Sequence, residues 1–254
     1  MKPNLKLLAV CPFLLGLTPL IAQEAPFDPL GKEAEAHLPR QVRIQVEYIE
    51  MSLEQMTELM DDPTVNTSDI ALRKRIGELT KTQKATIIET QMLIARSGEK
   101  ATAESVREFI YPTEYEPAEL PHTVKIENGA EDKITKKDLA TGPTPTAFET
   151  RNLGSTLEVE PVIDTDNKVL DVRISPELVY HVENLVWSEW KDHHGEANIM
   201  MPVFYTLRVT TAASVVTGKP CLLAALSPRD DKGVTDTSRK ILVFLKADIM
   251  YAGR

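Results

Sequence analysis

The sequence predicts a mainly β domain, α+β at the margin, built from long antiparallel strands and hairpins with two short helices near residues 52–60 and 68–80. Three observations predict it. Apolar and polar residues alternate strictly through Val42-Arg43-Ile44-Gln45-Val46-Glu47-Tyr48, through Leu157 to Ile174, and through Tyr205 to Val215, the period of half-buried strands. Turn signals punctuate these runs, as in Thr165-Asp166-Asn167-Lys168 and Thr217-Gly218-Lys219-Pro220. Only two stretches show helical spacing. Strands of this length would leave open edges on a lone chain, so the domain is expected to be completed by oligomerisation.

The chain begins with a segment of different character. Lys2 and Lys6 precede a mostly apolar run from Leu7 to Leu20, and Ala22 offers a small residue before Gln23. That is the pattern of a secretory signal peptide over residues 1–22, because the run is shorter than the ~18 residues of a spanning helix. Leu8-Ala9-Val10-Cys11 is a poor lipoprotein box, since Val10 is bulky and little apolar sequence precedes Cys11. Residues 23–37, with Pro26 and Pro29 among acidic residues, read as a mobile lead-in. The domain itself is assigned to residues 38–254.

Within it the first strand is Val42 to Tyr48. Ser52 with Gln55 three residues on forms a capping box that starts the first helix, and Asp61-Asp62-Pro63 stops it. The second helix starts at Ser68 and carries Ile70, Arg73, Ile76 and Leu79 at helical spacing; Asn66-Thr67-Ser68 fits a glycosylation sequon but reads more simply as a cap. Thr86 to Ile94 returns to β character, Ser97-Gly98-Glu99-Lys100 turns, and Ala101 to Tyr111 continues as strand or short helix until Pro112 breaks it. Residues 112–150 read as loop, with Val124 to Glu127 as a short edge strand before Asn128-Gly129. Two hairpin strands follow around Thr165–Lys168, and residues 185–200 read as a long loop or hairpin tip. One strand is then expected through Tyr205–Val215. Asp230-Asp231-Lys232-Gly233 turns into a final strand, Ile241 to Ile249.

Composition excludes several partner classes. The chain holds 29 Lys and Arg against 38 Asp and Glu, and removal of Lys2 and Lys6 deepens the acidic balance. Nucleic acid and anionic lipid surfaces are therefore not expected partners. Past residue 22 the one cysteine is Cys221, so no intrachain disulfide is expected there, and its apolar neighbours suggest a core position.

No catalytic constellation emerges, and no cofactor is implied. Asp192-His193-His194 with Glu196 is the nearest approach to a metal site, but adjacent loop histidines seldom converge on one ion and no further ligand is placed by spacing. Ser214 and Ser227 lack a nucleophile-elbow context. Glu47, Glu50, Glu158 and Glu160 fall on outward strand positions, where a solvated face is the simpler reading than acid–base chemistry. No enzymatic activity is expected. Trp187 and Trp190 stand apart in Leu185-Val186-Trp187-Ser188-Glu189-Trp190, and read either as anchors of a hairpin tip or as membrane-interface residues.

The order Gly154-Ser155-Thr156-Leu157-Glu158-Val159-Glu160-Pro161, then Pro202-Val203-Phe204, then the Gly218 turn, then the strand opening at Arg239, resembles the C-terminal domain of secretins. These are the outer-membrane ring proteins of type II and type III secretion systems and type IV pili. The resemblance implies structural roles for Gly154, Pro161, Pro202, Phe204, Gly218 and Arg239. It also implies a homo-oligomer at the outer membrane or in the periplasm of a Gram-negative-type bacterium, with other secretion or pilus components as partners. The sequence departs from the family at Leu207, where an arginine is usual, at Ala224-Ala225 for a glycine pair and at Ala247 for a proline. It also has no long glycine-rich gate insert between the first strand and Ser68, and no apolar lip loop between Leu226 and Arg239. The amino-terminal ring modules of a full secretin do not precede the domain in this sequence. Two expectations follow from the resemblance: a ring subunit for protein secretion or pilus-type export, or a soluble periplasmic interaction module that keeps the sheet without a conducting pore.

Overall fold

The computed structural model describes residues 38–119, 141–191, 195–230 and 233–251. The expected leader and lead-in, the strand expected at Val124–Glu127 with its turn at Asn128-Gly129, and Asp192-His193-His194 lie outside the described residues. All described elements belong to one unit, Pro39–Arg254.

The chain runs β1 (Arg40–Ser52), α1 (Leu53–Asp61), α2 (Asp69–Lys81), β2 (Ala85–Arg96), β3 (Ala101–Glu116), β4 (Thr144–Ile163), β5 (Val169–Ser188), β6 (Ile199–Arg208), β7 (Thr211–Val216), β8 (Pro220–Leu226) and β9 (Arg239–Tyr251). All ladders are antiparallel. Sheet A has the order β2-β1-β9-β8, and sheet B the order β3-β4-β5-β6 with β7 also on β5. The fold is mainly β with two short helices, as the alternation predicts.

Three layers explain the burial. Val42, Ile44, Val46 and Tyr48 of β1, with Val243, Leu245 and Ala247 of β9, point at sheet B and meet Leu157, Val159, Leu170, Val172 and Ile174 there. Ile49, Met51, Leu242 and Phe244 point the other way, under Leu59 of α1 and Leu72 and Ile76 of α2. Sheet A is thus covered on both faces, which is why adjacent residues Tyr48 and Ile49 are both fully buried. Each such side chain contributes about 1.5–3 kcal/mol by leaving water. The helices are fastened by their caps: Ser52 Oγ accepts from Gln55 N, and Ser68 Oγ from Ala71 N.

Three expectations need correcting. Pro112 does not end β3, which continues to Glu116; β3 pairs only with β4, and the register shifts just after the proline, so a missing N–H is tolerated there. Residues Thr144 to Thr150 are strand rather than loop, held by pairing to β3. The single strand expected through Tyr205–Val215 is two, because Val209 N leaves the ladder line to donate to the carbonyl of Pro176, and the chain restarts as β7 at Thr211. The alternation survives the break, with Leu207, Val209 and Val215 all buried.

Candidate functional site

Sheet B divides in two, and the glycine of the Gly-Ser-Thr-Leu motif marks where. Pairing of β4 to β5 runs from Ile163↔Leu170 to Gly154↔Val179 and stops. Beyond that point β4 stays with β3 (Leu153↔Arg107 through Thr144↔Glu116), while β5 stays with β6 (Tyr180↔Tyr205 through Ser188↔Ile199). Gly154 sits at φ +129, a conformation that side-chain-bearing residues avoid. A Cβ there would lie 2.2 Å from the Ser105 carbonyl oxygen of β3.

The two distal ribbons then touch through side chains rather than a ladder. Phe109 stacks on His181 with ring centroids 4.7 Å apart and meets Phe204 edge-on at 5.7 Å; Tyr111 lies 5.5 Å from Phe204. Phe204 is therefore a cornerstone of the ribbon–ribbon contact. Arg151 of β4 reaches Glu177 at 3.7 Å, and Arg208 binds the same carboxylate at 2.6 Å. Arg208 thus closes an ion pair at the sheet surface, while Leu207 fills the core.

Each ribbon has free edges among the described residues. In the distal half, β3 pairs only with β4 and β4 only with β3; β5 pairs only with β6 and β6 only with β5. The β5–β6 ribbon also carries an apolar band of Leu185, Val186, Trp187 and Met201, with Trp187 72% exposed. Glu183 and Asn184 bound it on one side, Ser188, Glu189 and Lys191 on the other, all exposed. The tryptophans part company here. Trp190 is half-buried, its amide donates to Asn198 Oδ1, and its ring lies beside Gly142, whose missing side chain leaves the space. Trp187 lies at a register shift of the β5–β6 ladder and faces solvent.

The other motif residues have local physical roles. The carbonyl of Pro161 accepts from Gly98 N at 2.7 Å, so its imino side faces the 97–100 turn and not the β5 ladder; no strand bond is lost. Pro202 pairs with Asn184 on the edge strand β6. Gly218, at φ +75, turns the chain from β7 to β8, with Lys219 N donating to the Val216 carbonyl. Arg239 ties three segments, reaching Glu50 of β1 and Asp236 at 2.6 Å each. Hydrogen bonds from the Ser238 hydroxyl, the Arg239 guanidinium and the Ser238 amide hold the Asp236 carboxyl down at about 2.

Glu47 and Glu50 are not simply solvated: Glu47 takes Arg73 of α2 at 2.7 Å, and Glu50 takes Arg239. Glu158 and Glu160 pair with Lys100 and Arg173 on the open face of sheet B. The hydroxyl of Ser214 is engaged with Asp171, while Lys240 donates to Ser227. Cys221 is half-buried rather than fully in the core, and burial raises its thiol pKa. Among the described residues no group of three or more His, Cys, Asp or Glu could hold a metal ion, and no helix is long and apolar enough to cross a membrane. Sequence reasoning missed the splitting of sheet B and the Phe109–His181–Phe204 contact; the aromatic residues of β3 lay in a stretch read as ending at Pro112.

No family model matches the sequence, and neither does any curated protein. Among solved structures the chain is similar to ExeD of Aeromonas hydrophila, at 12% identity and a TM-score of 0.40, over 84% of this chain and 49% of that one. It is similar to the type II secretin GspD of enteropathogenic Escherichia coli at 10% identity and a TM-score of 0.42, over 85% and 70%. A third is the InvG secretin-domain β-barrel of the Salmonella injectisome, at 9% identity and a TM-score of 0.40, over 85% and 64%. The chain spans about half the length of ExeD. The last two are a secretin and a secretin domain.

Proposed function

We propose that this chain is an exported, secretin-like subunit that self-associates into a ring at the outer membrane and takes part in protein secretion or pilus-type export. The observation that carries the reading is the division of sheet B at Gly154 into two ribbons with free edges on both sides. Long unpaired edges are avoided in monomers, because each is a template for another chain. Here the edges are complementary: β6 runs antiparallel to β5, so a neighbour's β6 would meet the free distal edge of β5 in the sense of every other ladder in the molecule. The same holds for β3 of one copy and distal β4 of the next. A heterologous contact of this kind forms a ring when its rotation closes. The ordered motif from Gly154 to Arg239, the leader of residues 1–22 and the acidic balance fit such a subunit.

A second reading, a soluble periplasmic interaction module, has its own observation. The exposed apolar band from Leu185 to Trp187 is about 10 Å long at ~3.3 Å per residue, against the ~25 Å band of a membrane-spanning barrel. The ribbon beyond it carries Glu189 and Lys191. Fractionation of cells making the full-length chain separates the two. A heat-sensitive band of high mass from the outer membrane, on an unboiled denaturing gel, is the expected result. A soluble periplasmic monomer or dimer would sink the ring and leave the module.

A further inference from the structure

Sheet A also has two edges, β2 and β8, and they differ from those of sheet B. On β8 the outward amide of Leu222 donates to Asp69 Oδ2 of α2 at 3.0 Å. On β2 the amide of Thr90 donates to the neighbouring Glu89 Oε1 at 2.9 Å. The two capped amides lie in one row across the sheet: Leu222 pairs with Phe244, Phe244 with Glu47, and Glu47 with Thr90. β8 is also only seven residues long, opens on Pro220, and shifts register between Leu222 and Ala224. Short strands, prolines, irregular register and inward-bent charges are the devices by which edges refuse a partner. Among the described residues, no amide of β3 or β7 donates to a side chain in this way.

We infer that Asp69 and Glu89 close the two edges of sheet A, so that copies of this chain join through the ribbons of sheet B while sheet A remains separate in every copy. The strand directions make the guard necessary. β2 and β8 run in opposite senses, so a neighbour's β2 could otherwise extend sheet A at β8 as readily as sheet B is extended. Were the edges to meet in the row of the capped amides, Leu222 of one copy would pair with Thr90 of the next. Both amides would have to give up their carboxylate acceptors to the new ladder, and each carboxylate would lose a charge-assisted hydrogen bond. This rests on the self-association proposed above, and fails separately from it.

The test is a cross-link placed across the forbidden seam. Ile87 and Ala225 lie in one row on the helix-facing side, through Ile49 and Leu242, and both are exposed. They stand on opposite edges of a four-stranded sheet, roughly 14 Å apart, so an intrachain disulfide cannot form. The full chain carrying Ile87→Cys and Ala225→Cys, with Cys11→Ser and Cys221→Ser so that no other thiol remains, is oxidised, and covalent multimers are read on a non-reducing gel. With Asp69 and Glu89 intact, no ladder is expected whether or not light scattering shows assembly. Adding Asp69→Ala and Glu89→Ala is expected to produce at least a several-fold rise in covalent multimers. Asp69→Asn with Glu89→Gln, which keep acceptor oxygens and lose the charge, should fall between. A ladder with both carboxylates intact overturns the inference, and so does an unchanged absence of one in a folded double-alanine variant, with folding read by circular dichroism. Should that variant not fold, the asparagine–glutamine pair decides in the same way. A wild-type chain that is monomeric by light scattering counts against the ring and leaves this reading to the cross-link.

Discussion

Among the described glycines, Gly154 should be the one whose replacement by alanine does most damage. Two costs combine. The backbone sits at φ +129, where a side-chain-bearing residue is strained by about 1–3 kcal/mol. The new Cβ would also stand 2.2 Å from the Ser105 carbonyl oxygen. Ordinary contact is ~3.5 Å, so β3 or β4 must withdraw by more than about 1 Å at the position where both sheet neighbours of Gly154, Val106 and Val179, hold it. The obstacle is backbone, which cannot rotate away. A total of about 4 kcal/mol is expected, out of the ~5–15 kcal/mol that holds a domain folded. Gly98 supplies the control, because it too has positive φ (+79) but open space around it, with nothing within 4 Å of a Cβ. Gly98→Ala should cost about 1 kcal/mol, the conformational part alone. Urea unfolding followed by circular dichroism, at a concentration that keeps the chain unassembled, gives both numbers from the midpoints at equal slope. If Gly154→Ala is no more than about 1 kcal/mol worse than Gly98→Ala, the close approach to Ser105 does not govern the split of sheet B and the argument fails.

Three further outcomes are expected. Tyr48 is fully buried and its hydroxyl has no protein partner among the described residues, with burial raising its pKa, so Tyr48→Phe should be neutral or slightly stabilising in urea; a loss above about 2 kcal/mol would reveal a hidden partner. Asp236 has a folded pKa of about 2, below the ordinary carboxylate value, so its contribution is present above the unfolded pKa and lost as pH falls through the folded one; the stability gap between wild type and Asp236→Asn should be full at pH 6 and vanish between about pH 4 and 2, and a gap unchanged at pH 2 would contradict this. Trp187→Phe should remove most acrylamide-quenchable fluorescence of the unassembled chain, whereas Trp190→Phe should leave it; equal quenching of the two variants would refute the placement of the rings.

The layers of the fold were legible because burial has a period. Val42 to Tyr48, Leu157 to Ile163 and Leu170 to Ile174 alternate as their strands alternate faces, and Ser52 and Ser68 announce both helices. Where β strand met proline the reading failed, because a proline is a local statement and β3 survives by a tertiary circumstance: its outer edge is free and its register shifts beside Pro112. Likewise nothing near Val209 signals a break, since the acceptor that draws its amide out of line is Pro176, thirty-odd positions earlier.

The candidate surface was less legible for a deeper reason. An edge is defined by what fails to pair, and pairing partners lie far apart in sequence. Gly154 is conspicuous as a motif glycine, but its meaning as the last rung between β4 and β5 requires knowing that Val179 is opposite and that Thr150 has no such partner on that side. Phe109, His181 and Phe204 are spread over three strands, and only the split brings them face to face. The edge carboxylates show the same logic. Asp69 reads as a favourable acidic residue at a helix start and Glu89 as an outward strand position; each reading is sound by itself. The shared row of the amides they cap, Leu222 and Thr90 across Phe244 and Glu47, is a property of the assembled sheet. The self-association proposed for sheet B, and the guard proposed for sheet A, thus both rest on register, a quantity that residue periodicity does not carry.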